Sequence, residues 1–357
     1  MRILMTADAT GGVGVFAGEL AEGLRARGHE VRVVVFSPRR PRLQLDGAAI
    51  WAPFRLEWMD ENGAAEIPAA EAEAGRAFLS HMGRTWRPEI LHSNHFAYCG
   101  ALAGVPTVLT VHSDVISWWH RVRGVAPLDN GYQRWYAQLA REALECAAVV
   151  VTPSEVAKND VRARWPKSGE IEVIPNGRTM EGIPSVPKQP VALAVGRLWD
   201  AGKGIALLGG LDGSGLELLV AGERRHPLEG WEAAVPAGTR WLGSLPAEEL
   251  QQCLAQARVY IGTSVYEPFG LAVLEAALCG CALLLRDIAS WRELWGPAAV
   301  FYANSRQLEQ LLQRAAREPG WAESLGQAAR LRARQCYSAV RMAEAYADVY
   351  QQAKGGG

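Results

Sequence analysis

The sequence predicts an α/β protein with two domains, each built on a doubly wound parallel sheet. Short apolar segments typical of strands alternate with amphipathic helical patterns, and one proline-rich segment interrupts this alternation near the middle of the chain. The chain has 357 residues, which is longer than one hydrophobic core usually supports. We therefore expect two domains of roughly 170 residues each, with ligands bound in a cleft at the carboxyl ends of their strands.

The N-terminal half shows the strand and helix alternation of parallel βαβ units. A helix is expected from about Val15 to Arg27, because Phe16, Leu20 and Leu24 form one apolar stripe and Gly28 follows as a stop signal. Strands are expected at residues 3–6, 31–36, 90–92, 107–111, 148–152 and 172–174. Parallel strands of this kind need helices on both faces of the sheet.

The linker is predicted at residues 179–190, which contain three prolines and no periodicity. The alternation then restarts. Further strands are expected at residues 191–195, 216–220, 240–242, 259–262, 282–285 and 299–301, and helices near 247–256, 271–279, 305–317, 321–334 and 340–353. We therefore assign residues 1–178 and 190–337 to two Rossmann-like domains.

Composition excludes several classes of function. The 37 basic and 38 acidic side chains give a net charge of -1, so no basic field is expected to draw nucleic acid. No apolar run approaches the roughly 18 residues of a membrane span, and the N-terminus lacks signal-peptide features, so a cytoplasmic protein is expected. The six scattered cysteines lack metal-binding spacing and are predicted to be reduced core residues.

The first glycine loop matches a dinucleotide fingerprint as Gly12-x-Gly14-x-x-Ala17. An NAD site also needs an acidic residue near the end of the second strand. Arg39 and Arg40 lie there instead, which disfavours NAD and leaves an NADP-dependent reductase open. The same loop could form a tight turn, or its amides could approach a phosphate or a sugar.

Two cations follow the first strand of the second half, Arg197 and Lys203, in a short glycine-rich connection. Arginine can hold phosphate oxygens with two parallel hydrogen bonds, and lysine supplies a mobile point charge. The pair therefore suits a diphosphate, although two solvated loop cations would give the same pattern.

Two glutamates, Glu267 and Glu275, flank a loop and an apolar helix. An ionised carboxylate inside an apolar helix needs polar partners. Ribose hydroxyls could serve Glu275, whereas pairing with an arginine or a backbone amide is the structural alternative. The amides of Gly270 and Leu271 at the start of this helix offer donors to phosphate.

The chain resembles retaining GT-B glycosyltransferases of the group 1, family 4-like class over essentially its whole length. Its spacing from Glu267 to Glu275 matches their Glu-x7-Glu motif. Six further segments match in the expected order, at residues 11–12, 110–112, 173–177, 196–203, 220–222 and 241–243. One departure is Arg178, which stands where an aliphatic residue is more usual.

The resemblance implies a role for each matching residue. Glu275 would bind the ribose hydroxyls and Glu267 the hydroxyls of the donor sugar. The other implied site residues are Arg197, Lys203, Gly270 and Leu271 at the diphosphate, Leu242 at the base, His112 near the anomeric carbon, and Gly12 in the N-terminal loop. It also implies that a C-terminal helix, at about 338–354, crosses back to the N-terminal domain.

The expected reaction is transfer of a sugar from a nucleoside diphosphate sugar, most often a UDP-sugar, to a hydroxyl acceptor with retention of anomeric configuration. The resemblance implies attack on the same face, with the departing phosphate taking the acceptor proton. No metal and no cofactor beyond this co-substrate is expected. The alternatives are a GT-B nucleotide-sugar epimerase or phosphorylase, an NADP-dependent reductase, and a non-catalytic nucleotide-sugar-binding protein.

Adjacent indoles at Trp118 and Trp119 cannot both face one helical core. One of them is predicted to line a surface or cleft, where it could stack on a sugar, and a packing role on the sheet is the alternative. With Arg121, Arg123 and the arginines at 39 and 40, these indoles also leave peripheral membrane contact open. The acceptor and the oligomeric state have no signature in the sequence.

Overall fold

The computed structural model describes residues 1–9, 11–38, 49–58, 69–127, 129–166, 168–212, 215–226 and 230–355. The chain forms two compact units, Met1–Gly177 with Ala339–Gly357 and Arg178–Ser338. In both units the described strands pair in parallel into one sheet that is covered by helices, which confirms the predicted fold class. The NADP hypothesis rested on Arg39 and Arg40, which lie outside the described residues.

Unit 1 is built on a sheet with the strand order β3-β2-β1-β4-β5-β6-β7. Its strands are β1 Arg2–Asp8, β2 Glu30–Phe36, β3 Ala49–Ala52, β4 Ile90–Ser93, β5 Thr107–Thr110, β6 Val149–Thr152 and β7 Ile171–Val173. Its helices before the linker are α1 Gly12–Ala26, α2 Ala69–Trp86, α3 Val115–Trp118, α4 Gly131–Cys146 and α5 Glu155–Arg164. Ile3, Leu4 and Met5 are fully buried in β1, as expected for a central parallel strand covered on both faces.

Unit 2 has the strand order β10-β9-β8-β11-β12-β13. Its strands are β8 Gln189–Val195, β9 Glu217–Ala221, β10 Arg240–Trp241, β11 Ala257–Gly262, β12 Ala282–Arg286 and β13 Val300–Tyr302. Its helices are α6 Ala247–Gln256, α7 Leu271–Leu278, α8 Ala289–Trp295, α9 Ser305–Arg317 and α10 Pro319–Cys336. The strand order reverses between β8 and β11, which is where doubly wound sheets bind ligands.

The last helix, α11 Ala339–Gly355, belongs to unit 1, as the resemblance implied. It packs so closely on α1 that a Cβ atom added at Gly23 would lie 2.7 Å from the Cβ atom of Ala343. Its Tyr350 hydroxyl bonds His92 Nδ1 at 2.6 Å, and its Tyr346 hydroxyl lies 3.0 Å from the Thr110 hydroxyl. This helix therefore completes the polar interior of unit 1.

All six cysteines are free thiols. The prediction that they are core residues is correct for Cys99, Cys279 and Cys281 but wrong for Cys146 and Cys336, which are exposed. Each of these two ends a helix, where the last turn leaves the core. Among the described residues, no helix has the length and apolar character to cross a membrane, and no His, Cys, Asp and Glu side chains cluster as a metal site.

Candidate active site

The loops that follow β8 and β11 meet at the carboxyl edge of the unit 2 sheet. These two strands are paired neighbours. The amide of Val265 donates to the carbonyl oxygen of Gly202 at 2.9 Å, and the Thr263 hydroxyl donates to the carbonyl oxygen of Lys203 at 2.6 Å. The predicted cation loop and the predicted glutamate loop therefore form one surface.

Lys203 and Glu267 form an ion pair on this surface. Lys203 Nζ lies 2.5 Å from Glu267 Oε2, and the two side chains are 25% and 17% exposed. The hydroxyl of Ser290, at the start of α8, donates to the carbonyl oxygen of Glu267 at 2.6 Å. The carboxylate is thus fixed in place beside a cation that a ligand could reach.

Arg197 is held by Asp200, a residue that the sequence analysis did not identify. Arg197 Nη2 donates to Asp200 Oδ2 at 2.6 Å, and its guanidinium lies 4.9 Å from the ring centroid of Trp199. Asp200 Oδ1 also accepts from the amide of Gly202 at 2.8 Å. Burial acts to raise the pKa of Asp200, but the charges of Arg197 and Lys203 outweigh it and hold this pKa below its ordinary value.

At this edge of the sheet, two backbone segments approach each other closely at Gly222 and Gly196. Gly222, which follows β9, has φ at 141°, and a Cβ atom there would lie 1.9 Å from the carbonyl oxygen of Gly196. Only glycine fits such a contact. The loop that carries Arg197 is therefore held directly against the end of the neighbouring strand.

Helix α7 begins at this same edge. Its N-cap residue Gly270 has φ at 93°, and no described side chain caps the helix. A Cβ atom at Gly270 would lie 3.1 Å from both Glu267 Cγ and Trp291 Nε1, so the position favours glycine for space as well as for backbone conformation. The first amides of a helix lack intrahelical acceptors, so those at Gly270 and Leu271 suit an anion.

Glu275 lies on α7 and is paired with Arg178. Arg178 Nε donates to Glu275 Oε1 at 3.1 Å, and the two side chains are 19% and 14% exposed. The sequence left two partners open for Glu275, ribose hydroxyls or a neighbouring arginine, and the structure contains the arginine pair. The ion pair also explains the arginine after Pro-Asn-Gly, because a half-buried carboxylate is stabilised by an adjacent cation.

Leu242 directly follows β10, the edge strand of unit 2. Its amide donates to the carbonyl oxygen of Val220 at 2.9 Å, and its side chain is half-buried. The neighbouring Trp241 is 37% exposed and donates from Nε1 to the carbonyl oxygen of Gly222 at 2.9 Å. Leu242 thus lies two strands away from the loop of Arg197, with β9 between β10 and β8.

His112 and Gly12 are the predicted site residues of unit 1. Gly12 is the exposed first residue of α1. His112 Nε2 lies 2.8 Å from Asn94 Oδ1, while Asn94 Nδ2 donates to the carbonyl oxygen of Thr6 at 2.6 Å. Since the amide nitrogen of Asn94 is used by Thr6, His112 must donate from Nε2, which leaves Nδ1 as an acceptor. The ring of Phe16 packs edge-on against the imidazole of His112, with the two ring centroids 4.5 Å apart.

Two buried histidines, His92 and His95, and the half-buried His112 should make unit 1 sensitive to acid. Burial lowers the pKa of His92, His95 and His112 to about 3 each. In the unfolded chain the pKa of these imidazoles is about 6.5. Below that pH the unfolded chain therefore binds protons that the native protein does not. Stability is then lost as the pH falls, by up to about 1.4 kcal/mol per pH unit for each imidazole.

Two buried carboxyl groups act in the opposite direction. Burial raises the pKa of Glu57 to about 7 and also raises that of Asp114, so the native protein retains protons that the unfolded chain loses. Because three imidazoles act against only two carboxyl groups, we expect a lower melting temperature at pH 5 than at pH 7. A His92→Leu variant should flatten this dependence, and a wild-type melting temperature that stays constant or rises at pH 5 would contradict the assignment.

Trp118 and Trp119 are both half-buried. Their rings form an edge-to-face pair with centroids 6.2 Å apart, and Arg123 lies over both rings at 5.6 and 6.0 Å. The segment Trp119–Arg123 continues α3 as a π-helical turn, which changes the angle between successive side chains. Both indoles keep some exposed surface, and the role of one of them in lining a surface or cleft stays a prediction.

Two family models and several curated relatives match the chain. The Glycosyltransferase Family 4 model matches residues 10–181, and the Glycosyl transferases group 1 model matches residues 179–332. Alpha-maltose-1-phosphate synthase of Mycolicibacterium smegmatis is 27% identical, and the match covers 78% of this chain and 80% of the relative. Glycogen synthase of Mycobacterium tuberculosis is 26% identical, and the match covers 100% of this chain and 96% of the relative.

Solved structures share the fold. Sucrose-phosphate synthase from Thermosynechococcus elongatus has a TM-score of 0.78 at 18% identity, with 100% of both chains covered. HepE from Anabaena in complex with UDP-glucose has a TM-score of 0.69 at 17% identity and covers 98% of this chain and 99% of its own. The two family matches, the relatives and the GT-B fold together show that the chain is an enzyme of the group 1, family 4-like glycosyltransferases.

Proposed function

We propose that this glycosyltransferase moves a hexose from a UDP-sugar, with UDP-glucose as the first candidate, to a hydroxyl acceptor and retains the anomeric configuration. The observation that carries the proposal is the meeting of Arg197, Lys203 and Glu267 with the start of α7 at the reversal point of the unit 2 sheet. The HepE structure with UDP-glucose, which shares the fold, supports the choice of donor.

Arg197 and Lys203 suit a diphosphate leaving group. Negative charge on the diphosphate grows as the glycosidic bond breaks, and groups that are already in place stabilise it without reorganisation. Arg197 is anchored by Asp200 and Lys203 by Glu267, so both cations are ordered before any ligand binds. The amides at the start of α7 would add neutral donors on the same side.

The proposed reaction breaks the bond between the anomeric carbon and the β-phosphate oxygen and forms a bond from the acceptor oxygen on the same face. The acceptor proton passes to a leaving phosphate oxygen. Glu267 is paired with Lys203, which weakens it as a nucleophile and suits a carboxylate that accepts hydrogen bonds from sugar hydroxyls. The proposed reaction therefore forms no covalent bond between the enzyme and the sugar.

The remaining site residues would fix the donor. Glu275 would accept hydrogen bonds from the ribose hydroxyls, with Arg178 orienting its carboxylate. Leu242, beside an exposed edge strand, would contact the base. His112 is neutral at physiological pH because burial lowers its pKa to about 3, so it would meet the sugar as a hydrogen-bonding group without charge. Gly12 would leave room for the ligand at the start of α1.

A thermal-shift panel of UDP, GDP, ADP and NADP tests the choice of donor. A nucleotide at about 100 times its Kd stabilises the native state by roughly 2.7 kcal/mol, which raises the melting temperature of a protein of this size by a few degrees. We expect UDP to give the largest shift. A larger shift with NADP would favour the reductase. A larger shift with GDP or ADP would show that the donor carries guanine or adenine in place of uracil.

Retention is tested separately by NMR of the anomeric proton in products formed from UDP-glucose and a panel of hydroxyl acceptors. An α-linked product is expected, and a β-linked product would overturn retention. Reactions without an acceptor serve as the control. Rapid donor epimerisation or cleavage in that control would favour the epimerase or phosphorylase alternative.

A further inference from the structure

Two cysteine thiols meet in unit 1. Cys99 is buried and follows the short 3-10 turn Phe96–Tyr98 after β4. Cys146 is exposed and is the last residue of α4. One sulfur therefore faces solvent while the other is enclosed by the protein.

The backbone brings the two sulfurs together. Cys99 Sγ lies 3.1 Å from the carbonyl oxygen of Ala143, which is one turn before Cys146 on α4. A Cβ atom at Gly100, the residue after Cys99, would lie 2.5 Å from Cys146 Sγ. The Cys146 sulfur therefore packs against the backbone next to Cys99, in space that only glycine leaves open.

A cation lies beside the pair. Arg76 donates to the carbonyl oxygens of Ala97 and Cys99, both at 2.9 Å. The hydrogen bond from Cys99 lowers the pKa of Cys146 to about 6, and the positive charge of Arg76 adds to this against the effect of partial burial. The same hydrogen bond and burial raise the pKa of Cys99. An exposed thiolate beside a buried thiol is the arrangement of cysteines that react with disulfides.

We propose that Cys146 and Cys99 form a dithiol modification site at which a small-molecule disulfide of the glutathione disulfide class oxidises the pair to an intramolecular disulfide. The Cys146 thiolate attacks one sulfur of the oxidant, which releases one thiolate and forms a mixed disulfide. Cys99 then loses its proton and attacks the Cys146 sulfur, which releases the second thiol. Two protein thiols are oxidised and one disulfide is reduced to two thiols.

Peptide mapping of the full-length protein tests the product. The reduced protein is equilibrated with mixtures of reduced and oxidised glutathione, quenched with N-ethylmaleimide and digested for mass spectrometry. We expect a Cys99 to Cys146 disulfide to form before any other protein disulfide. A Cys99→Ser variant should stop at the mixed disulfide on Cys146. Stable glutathionylation of Cys146 in the wild-type protein, without the internal disulfide, would overturn the proposal.

Cys336 provides a matched control, because it is also exposed and also ends a long helix. At pH 6 a thiol with a pKa of 6 is half ionised, whereas an ordinary thiol with a pKa of about 8.5 is ionised to roughly 0.3%. The lower intrinsic nucleophilicity of the more acidic thiolate removes about a factor of ten of this advantage.

Cys146 should then be alkylated by iodoacetamide on the order of ten times faster than Cys336 at pH 6. A Cys99→Ala variant should lose most of this advantage, since alanine has no donor for the thiolate. Equal alkylation rates of Cys146 and Cys336 in the wild-type protein would contradict a reactive pair, even if the variant failed to fold.

Discussion

Replacement of Lys203 by methionine is expected to lower kcat by about 10² to 10³, equivalent to roughly 3–4 kcal/mol in the barrier. Lys203 Nζ lies 2.5 Å from Glu267 at the edge where the diphosphate would bind. Its charge would matter most when the leaving group carries its full negative charge, so the loss should fall on kcat more than on KM. Initial rates of UDP release over a range of UDP-sugar concentrations give both constants.

A control separates loss of charge at the site from loss of an ion pair. Lys354 forms an ion pair of similar length with Glu89, at 2.7 Å, in unit 1, and Lys354→Met should leave the rate unchanged. If Lys203→Met raised KM and left kcat intact, Lys203 would hold the donor equally in the ground state and the transition state, contrary to the proposal.

Replacement of Glu275 by alanine is expected to remove most of the stabilisation by UDP. Two ribose hydroxyls would lose their charged acceptor, and hydrogen bonds to charged groups contribute about 1.5–3 kcal/mol each. This loss is comparable with the roughly 2.7 kcal/mol that UDP supplies at about 100 times its Kd. Thermal shifts measured across a UDP titration, for wild type and variant, report the change in Kd.

Arg178→Met is the matched control for Glu275→Ala. Both changes break the pair of 3.1 Å between Arg178 and Glu275, so both should lower the melting temperature of the protein without nucleotide. Only Glu275→Ala removes the carboxylate, so it should weaken UDP binding far more than Arg178→Met does. Equal UDP responses in the two variants would show that Glu275 is a structural ion-pair residue and would contradict its assignment to the ribose.

Helix and strand positions with strong local signals were predictable. Helices α6 and α9 have the bounds expected from the sequence, because an apolar stripe and, for α9, an Asn304 side chain that accepts from the Gln307 amide at 3.0 Å define them locally. Strand β3 was not predicted, because four residues at a sheet edge carry too little periodicity. Helices α4 and α5 were also missed, although Asn130 and Ser154 cap them.

The residue types of the candidate site were predictable, but their partners were not. The pairs of Lys203 with Glu267 and of Arg178 with Glu275 join residues 64 and 97 positions apart, and only the fold decides which opposite charges meet. Asp200 is different, since it lies three residues after Arg197. A carboxylate so close in sequence to a predicted phosphate-binding arginine is a signal that could have been used.

The position of α11 along the chain has a consequence for biosynthesis. Its Tyr346 and Tyr350 hydroxyls bond Thr110 and His92 inside unit 1, yet the ribosome makes this helix only after the whole of unit 2. Unit 1 therefore cannot finish folding until α11 has been synthesised, and until then His92 and Thr110 lack these hydrogen-bond partners. Unit 2 can complete its own core first. A released chain truncated before Ala339 should therefore have a folded second half attached to an incompletely folded first half.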